Sequence, residues 1–291
     1  VTDPDLVPAG PTVSPPACGL IALLTDFGLD DPYVGIMKGV IARLNPAATV
    51  LDLCHGVRPQ NVREGAFLLA TALPYFPPGT VFVAVVDPGV GTARRPLALA
   101  TPAGFFVGPD NGLLTWALPG GPTGLETTPR EGPLPPGVRA VELTNPAYWL
   151  PTVSATFHGR DIFAPVAAHL ARGVPLEDLG RPLDRILWLP RPRPVRRSDG
   201  TLEAHVLHID RFGNLITDLE PADLRPLGPR PVFTVGSSQI VGLVRTYAEG
   251  QGLVALVGSS GHIEIALPNG SAARQTGLDL GAIIVVAPGG G

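Results

Sequence analysis

Between residues 20 and 87 two kinds of hydrophobic pattern alternate, and that alternation leaves few folds open. LIALLT at 20–25 is a continuous apolar run. YVGIMKGVIARLN at 33–45 then places Val34, Met37, Val40, Ile41 and Leu44 near helical spacing, and TVLDLC at 49–54 is again strand-like. NVREGAFLLATALPYF supplies a second helix, stopped by Pro77, Pro78 and Gly79 before the run TVFVAVVD. Strand, helix, strand, helix, strand predicts a mainly parallel sheet covered by helices, because a parallel pair needs a long crossover. Such sheets gather ligand-binding groups at the carboxyl ends of their strands. Asp26, the loop after Asp52, and Asp87 should therefore share a rim.

PLALATPAGFFVGPDNG reads as two more strands and a tight turn carrying Asp110 and Asn111. DIFAPVAAHLARG, from Asp161, predicts a helix that tolerates Pro165 only in its first turn. RILWLPRPRPVRRSDG has the prolines and clustered arginines of a connector, and beyond it come short β-rich runs separated by Gly-rich turns. The expected fold is α/β, with an amino-terminal three-layer domain at 19–185, a linker at 186–200, and a smaller antiparallel β domain or barrel at 201–291.

The composition excludes several classes of function. With 45% hydrophobic and 16% charged residues, the chain belongs among compact folded proteins. A formal charge of -4 argues against a global grip on nucleic acid or an anionic membrane, and the basic run near 191–197 lacks the aromatic interleaving of a single-strand binder. Lys38 is the sole lysine. Cys18 and Cys54 have neither metal-binding nor redox spacing, which leads us to expect a reducing, cytoplasmic setting. VTDPDLVPAGPTVSPPACG reads as a loose Pro-rich tail rather than a targeting peptide. No apolar segment reaches the roughly 18 residues of a membrane span.

Familiar fingerprints are missing: GVG at 89–91 is not a dinucleotide motif, and there is no Walker A lysine loop, HExxH, EF-hand or serine-hydrolase elbow. Asp26, Asp30, Asp31, His55, Asp87, Asp110 and His158 could assemble a divalent-metal hydrolase site, although their spacing is irregular. Taken alone, Asp26 reads first as a loop-capping or turn residue, and Asp87 reads equally as a cap before ProGly, Arg94 as a surface partner, and His158 as a satisfied histidine beside a helix.

Seven motifs in one order change that balance. TDFGLDDPYVGIMKGVI, HGVRPQNVREGAFLLA, VVDPGVGTARR, VGPDNGLL, TFHGRDIFAPVAAHLA, IDRFGNLITDL and SSGHIEIALPNGSAA span roughly residues 20 to 285, and together they resemble the S-adenosylmethionine hydroxide adenosyltransferase family, related to fluorinating and chlorinating adenosyltransferases. The resemblance implies hydrolysis of S-adenosylmethionine to adenosine and methionine, with no metal or other cofactor. It also implies a homotrimer with the site shared between neighbouring subunits. It places the catalytic aspartate, arginine and histidine on Asp87, Arg94 and His158. Substrate-binding positions fall on Asp26, Phe157, Asp210, Asn214, Tyr247, Ser260, Asn269 and Ala272, with core packing the competing role for Phe157 and Tyr247. In the fluorinating branch the positions matching Asp87 and His158 are tyrosines, and its serine position is Gly159 here. Alternatives are a halide-dependent 5′-halogenating adenosyltransferase, a metal-dependent phosphoesterase, and a non-enzymatic S-adenosylmethionine or adenosine binder.

On this reading Asp87 anchors the attacking water, Arg94 keeps Asp87 ionised and lowers its basicity, and His158 relays or accepts proton density.

Overall fold

The computed structural model describes residues 14–289, so the first thirteen residues of the expected Pro-rich tail and the last two of the chain lie outside the described residues. Two compact units emerge, one built from residues up to 122 and from 126–190, the other from 123–125 and residues from 191 onward.

The first unit runs β1 (Leu20–Thr25), α1 (Tyr33–Leu44), β2 (Thr49–Cys54), α2 (Val62–Ala72), β3 (Thr80–Val85), β4 (Pro96–Thr101), β5 (Gly104–Pro109), β6 (Arg130–Pro133), β7 (Arg139–Leu143), α3 (Ala164–Ala171), β8 (Gly180–Leu183) and β9 (Arg185–Trp188). Its seven-stranded sheet has the order β2-β1-β3-β5-β4-β7-β8. The β2-β1-β3-β5 pairings are parallel, and those of β4 with β5 and β7, and of β7 with β8, are antiparallel. Mixed pairing follows from chain length: β4 and β5 are joined by two residues, too few for a crossover.

Side-chain alternation along the strands splits the core in two. Ile21, Leu23, Val81 and Val83 face α1 and α3 on one side, while Ala22, Leu24, Phe82 and Ala84 pack with Leu69 of α2 on the other. Helices on both faces make this a three-layer unit. Residues 185–188, where the connector was expected to begin, form β9 on β6, and Ile186 and Trp188 are buried in the second of these cores.

Because β2 and β3 lie on opposite sides of β1, the loops leaving β1 and β3 diverge at their carboxyl ends. This is the topological switch where open α/β sheets form a crevice.

The second unit holds β10 (Val195–Arg196), β11 (Leu202–Ile209), β12 (Leu215–Thr217), α4 (Pro221–Leu224), β13 (Val232–Val235), β14 (Ser238–Val241), β15 (Val254–Val257), β16 (Ile263–Ala266), α5 (Ala272–Thr276) and β17 (Ile283–Ala287). All its strand pairings are antiparallel, in the order β14-β13-β17-β11-β12-β16-β15, with β10 beside β11. Val244, just past β14, donates its backbone N–H to Ala255 of β15 at 2.9 Å, which nearly closes the sheet into a barrel. Closure removes exposed edges, and Phe233, Val235, Ile265 and Ile284 fill the interior.

Candidate active site

At the switch point lies a cavity of about 410 Å³, lined entirely from the first unit. Asp26 and Phe27 reach it from the loop after β1, Val85, Asp87 and Pro88 from the end of β3, and Phe157 and His158 from the turn before α3.

The loop carrying Asp87 owes its path to Gly91. That residue has φ +75, and a Cβ there would collide with the Ala155 carbonyl. Glycine thus lets the 87–94 loop lie directly on the segment that leads into His158.

The opposite wall depends on Pro165, which sits in the first turn of α3. Proline has no N–H to offer the carbonyl four residues earlier. That carbonyl, on Asp161, instead accepts the backbone N–H of Leu150 at 2.9 Å. Residues 159–163 open into one π-helical turn, and the buried Asp161 side chain accepts from Ser154 N at 2.8 Å and from Arg160 Nε at 2.6 Å. Asp161 therefore pins both sides of the segment that bears Phe157 and His158. Arg160 in turn lies 5.1 Å from the Phe157 ring centroid.

Asp87 and Arg94 are almost completely enclosed, their side chains 5% and 7% exposed. Arg94 donates from Nε to Asp87 Oδ1 at 3.1 Å, from Nη2 to Asp87 Oδ2, and also from Nη2 to His158 Nδ1 at 3.1 Å. Its guanidinium carbon lies 5.5 Å from the Phe163 ring centroid, so an aromatic face supports the buried cation.

Two chemical consequences follow. Burial pushes the Asp87 carboxyl above its ordinary range, outweighing the downward pull of Arg94, His158 and the Gly89 N–H. Arg94 does lower the proton affinity of Asp87, as expected, but desolvation exceeds that ion-pair attraction and sets the net direction. A guanidinium can only donate, so a neutral His158 must accept at Nδ1 and carry its proton on Nε2. Burial and Arg94 both hold the His158 pKa below its ordinary value, which keeps the ring neutral. His158 was expected to relay or accept proton density; with Nδ1 engaged by Arg94, its neutral ring presents a donor at Nε2.

Phe27, Tyr33 and Phe157 meet edge to face, with centroids 5.2–6.0 Å apart, and form an apolar side of the cavity. Tyr33, Gln60 and Thr156 line it too and were missed in the sequence. Phe27 and Tyr33 stand within a quoted motif, one and seven residues after Asp26, so that motif held the signal. Asp110, by contrast, binds Arg95 Nε at 2.8 Å and Leu187 N at 2.8 Å, and so ties β9 to the sheet. Among the described residues, no three His, Cys, Asp or Glu side chains converge as a metal-ligand set.

The remaining candidates lie in the second unit. Asp210 caps its own turn, accepting at 2.9 Å from Phe212 N, Asn214 N and Asn214 Nδ2. Tyr247, 46% exposed, donates its hydroxyl to the buried Glu264. That bond, with burial and the carboxylate charge, pushes the Tyr247 pKa up to about 12. Ser260 is half-buried, and Asn269 occupies an exposed turn with φ 58. The Ala272 side chain is wholly buried in the barrel core, leaving only backbone at that position for a ligand.

Residues 21–180 match the SAM hydroxide adenosyltransferase N-terminal domain and residues 204–285 the corresponding C-terminal domain. The chain belongs to this family. An (R)-S-adenosyl-L-methionine hydrolase of Thermus thermophilus is 45% identical over 267 residues, covering 90% of this chain and 96% of that protein. A Salinispora tropica protein of the same name is 44% identical, covering 92% and 98%. A fluorinase of Actinoplanes sp. is 32% identical, covering 72% of this chain and 74% of its own. An uncharacterized conserved protein from Thermotoga maritima, solved by crystallography, superposes with a TM-score of 0.79 at 36% identity, covering 92% of this chain and 99% of that one. Both domains of the family are therefore present, and Asp87 and His158 each meet Arg94 at the cavity.

Proposed function

We infer that this protein is an enzyme that hydrolyses S-adenosylmethionine to adenosine and methionine. The observation that carries the reading is the enclosed Asp87–Arg94–His158 array at the cavity, in a chain similar over nine-tenths of its length to named hydrolases. Those names specify the R configuration at sulfur, and we propose the same stereoisomer as substrate.

In the proposed mechanism, His158 donates through Nε2 to the oxygen of a water molecule while Asp87 accepts one of its hydrogens. The pair orients a lone pair toward the ribose 5′ carbon. The new O–C5′ bond forms as the C5′–S bond breaks, its electrons pass to sulfur, and the water proton moves to Asp87. Methionine leaves as a neutral thioether. Arg94 contributes by holding both partners in register, and such positioning contributes several kcal/mol to enzymatic rates. Attack of a hydroxide-like oxygen on a sulfonium cancels charge, so an apolar wall such as Phe27, Tyr33 and Phe157 favours the transition state over hydrated reactants.

Asp26 and Phe157 are proposed to hold the nucleoside, supported by their place in the cavity. Asp210, Asn214, Tyr247, Ser260, Asn269 and the backbone at Ala272 are proposed as further substrate contacts, on family resemblance. A homotrimer in which neighbouring subunits share the site is proposed on the same ground, and sedimentation equilibrium would test it. A cytoplasmic setting is proposed from the free Cys18 and Cys54, and cell fractionation would check it. No helix among the described residues is long and apolar enough to cross a membrane.

The deciding experiment is turnover in water enriched in heavy oxygen. The label should enter the adenosine 5′ hydroxyl and not methionine, and unlabelled adenosine would defeat the mechanism. Added chloride or bromide should leave adenosine as the product, whereas a halogenated nucleoside would favour the halide-dependent reading.

A further inference from the structure

The mechanism leaves one buried histidine unused. His55 follows β2 with its side chain 3% exposed, its Nε2 2.9 Å from Asp52 Oδ1 and its Nδ1 2.8 Å from Thr25 Oγ1. Asp52 also accepts from Lys38, the chain's sole lysine, at 2.6 Å. Burial alone would raise the Asp52 pKa, but the bonds from Lys38 and His55 outweigh it and hold the group below its ordinary value. Asp52 is therefore a carboxylate, which can only accept.

Facing a carboxylate, His55 donates from Nε2 to Asp52, and its Nδ1 meets the Thr25 hydroxyl. The Thr25 oxygen in turn accepts the Phe27 backbone N–H at 3.2 Å, and the His55 carbonyl accepts from Gly28 N at 2.8 Å. An Asp–His–hydroxyl sequence has the order of a hydrolytic triad, but Thr25 is wholly buried and already engaged by Phe27 N, so it is no nucleophile.

What the chain reaches is the cavity wall. Phe27 N and Gly28 N belong to the two residues that directly follow Asp26, whose carboxylate accepts from Gln60 N at 2.7 Å. Gln60, with φ 64, belongs to the loop that begins at His55. The two loops are thus tied at two levels, by Thr25 and His55 below and by Asp26 and Gln60 at the cavity.

We propose that Asp52, His55 and Thr25 form a positioning relay that holds the Asp26 carboxylate in place for the ribose of the substrate, an inference that rests on the reading of Asp26 as a nucleoside contact. The relay touches neither the attacked carbon nor the water, so it should act on binding and not on the chemical step.

The test compares Thr25→Val, Thr25→Ser, Asp26→Ala and the Thr25→Val/Asp26→Ala double variant, measuring kcat and KM for S-adenosylmethionine and adenosine affinity by calorimetry. Losing one buried hydrogen bond commonly weakens binding by up to about tenfold. Thr25→Val should raise KM and the adenosine Kd by about that factor with kcat changed less than about twofold. Thr25→Ser should restore both. The double variant should be no worse than Asp26→Ala, because the two residues act through one contact. If Asp26→Ala weakens binding while Thr25→Val does not, or if the two losses multiply, the relay is overturned. If Asp26→Ala binds normally, the reading of Asp26 itself fails. Should Thr25→Val not fold, Asp52→Ala at the partly exposed end of the chain carries the same expectations.

Discussion

Replacing Asp87 by asparagine isolates the proposed base with little change of shape. The side chain is 5% exposed, and both its oxygens are held by Arg94. An asparagine oxygen can still accept one of the two guanidinium bonds, while its amide nitrogen, a donor, gives up the other, so the loop keeps one tie to Arg94. What disappears is the group that takes the water proton, and general-base catalysis is worth about 10²- to 10⁴-fold. At about 1.4 kcal/mol per factor of ten, this is a barrier rise of about 3 to 5 kcal/mol. We expect kcat, read as methionine release, to fall by that factor while KM stays within about threefold.

The pH profile supplies a second reading. Asp87 must be ionised to act, and its pKa is raised above the ordinary 3.8. Activity of the native enzyme should therefore climb with pH through an acid limb lying above that value, and Asp87→Asn should lose the limb. The linkage has the opposite sign. A raised folded-state carboxyl contributes stability fully present below 3.8 that is lost as pH rises through the folded pKa. The catalytic ionisation thus costs stability at neutral pH, and a thermal melt of the variant separates folding from chemistry. A kcat within tenfold of native in a folded variant, with the acid limb intact, would refute the assignment of Asp87 as the base.

Three further outcomes are expected. His158→Gln keeps a donor and should retain more activity than His158→Phe, and equal losses would remove the donor role. Gly91→Ala must place a Cβ against the Ala155 carbonyl at φ +75. The left-handed conformation alone costs about 1 to 2 kcal/mol, so denaturant titration should show at least that loss, and an unchanged midpoint would count against the loop contact. Gly159→Ser would bring a Cβ within 3.2 Å of Met37 Sδ and 3.3 Å of the Phe157 ring. It should raise KM by displacing Phe157, with chloride still yielding no halogenated nucleoside.

Much of this architecture was written in local pattern. The alternation from residue 20 to 87 dictated crossovers, and crossovers dictated a rim carrying Asp26 and Asp87. Pro165 announced its own place in the first turn of a helix. The quoted motifs also marked Arg94 and His158, which no spacing rule would link across 64 residues.

Packing decided the chemistry. Whether Asp87 is a weak or a strong base depends on how completely the folded chain excludes water from it, and desolvation is a sum over neighbours distant in sequence. The His158 tautomer likewise follows from which nitrogen meets a guanidinium, and the Thr25–His55–Asp52 chain exists only because β1 and β2 lie side by side. Residue order names the groups that can carry a proton; only their three-dimensional contacts say which way it moves, because hydrogen-bond direction is set by partners and not by sequence neighbours.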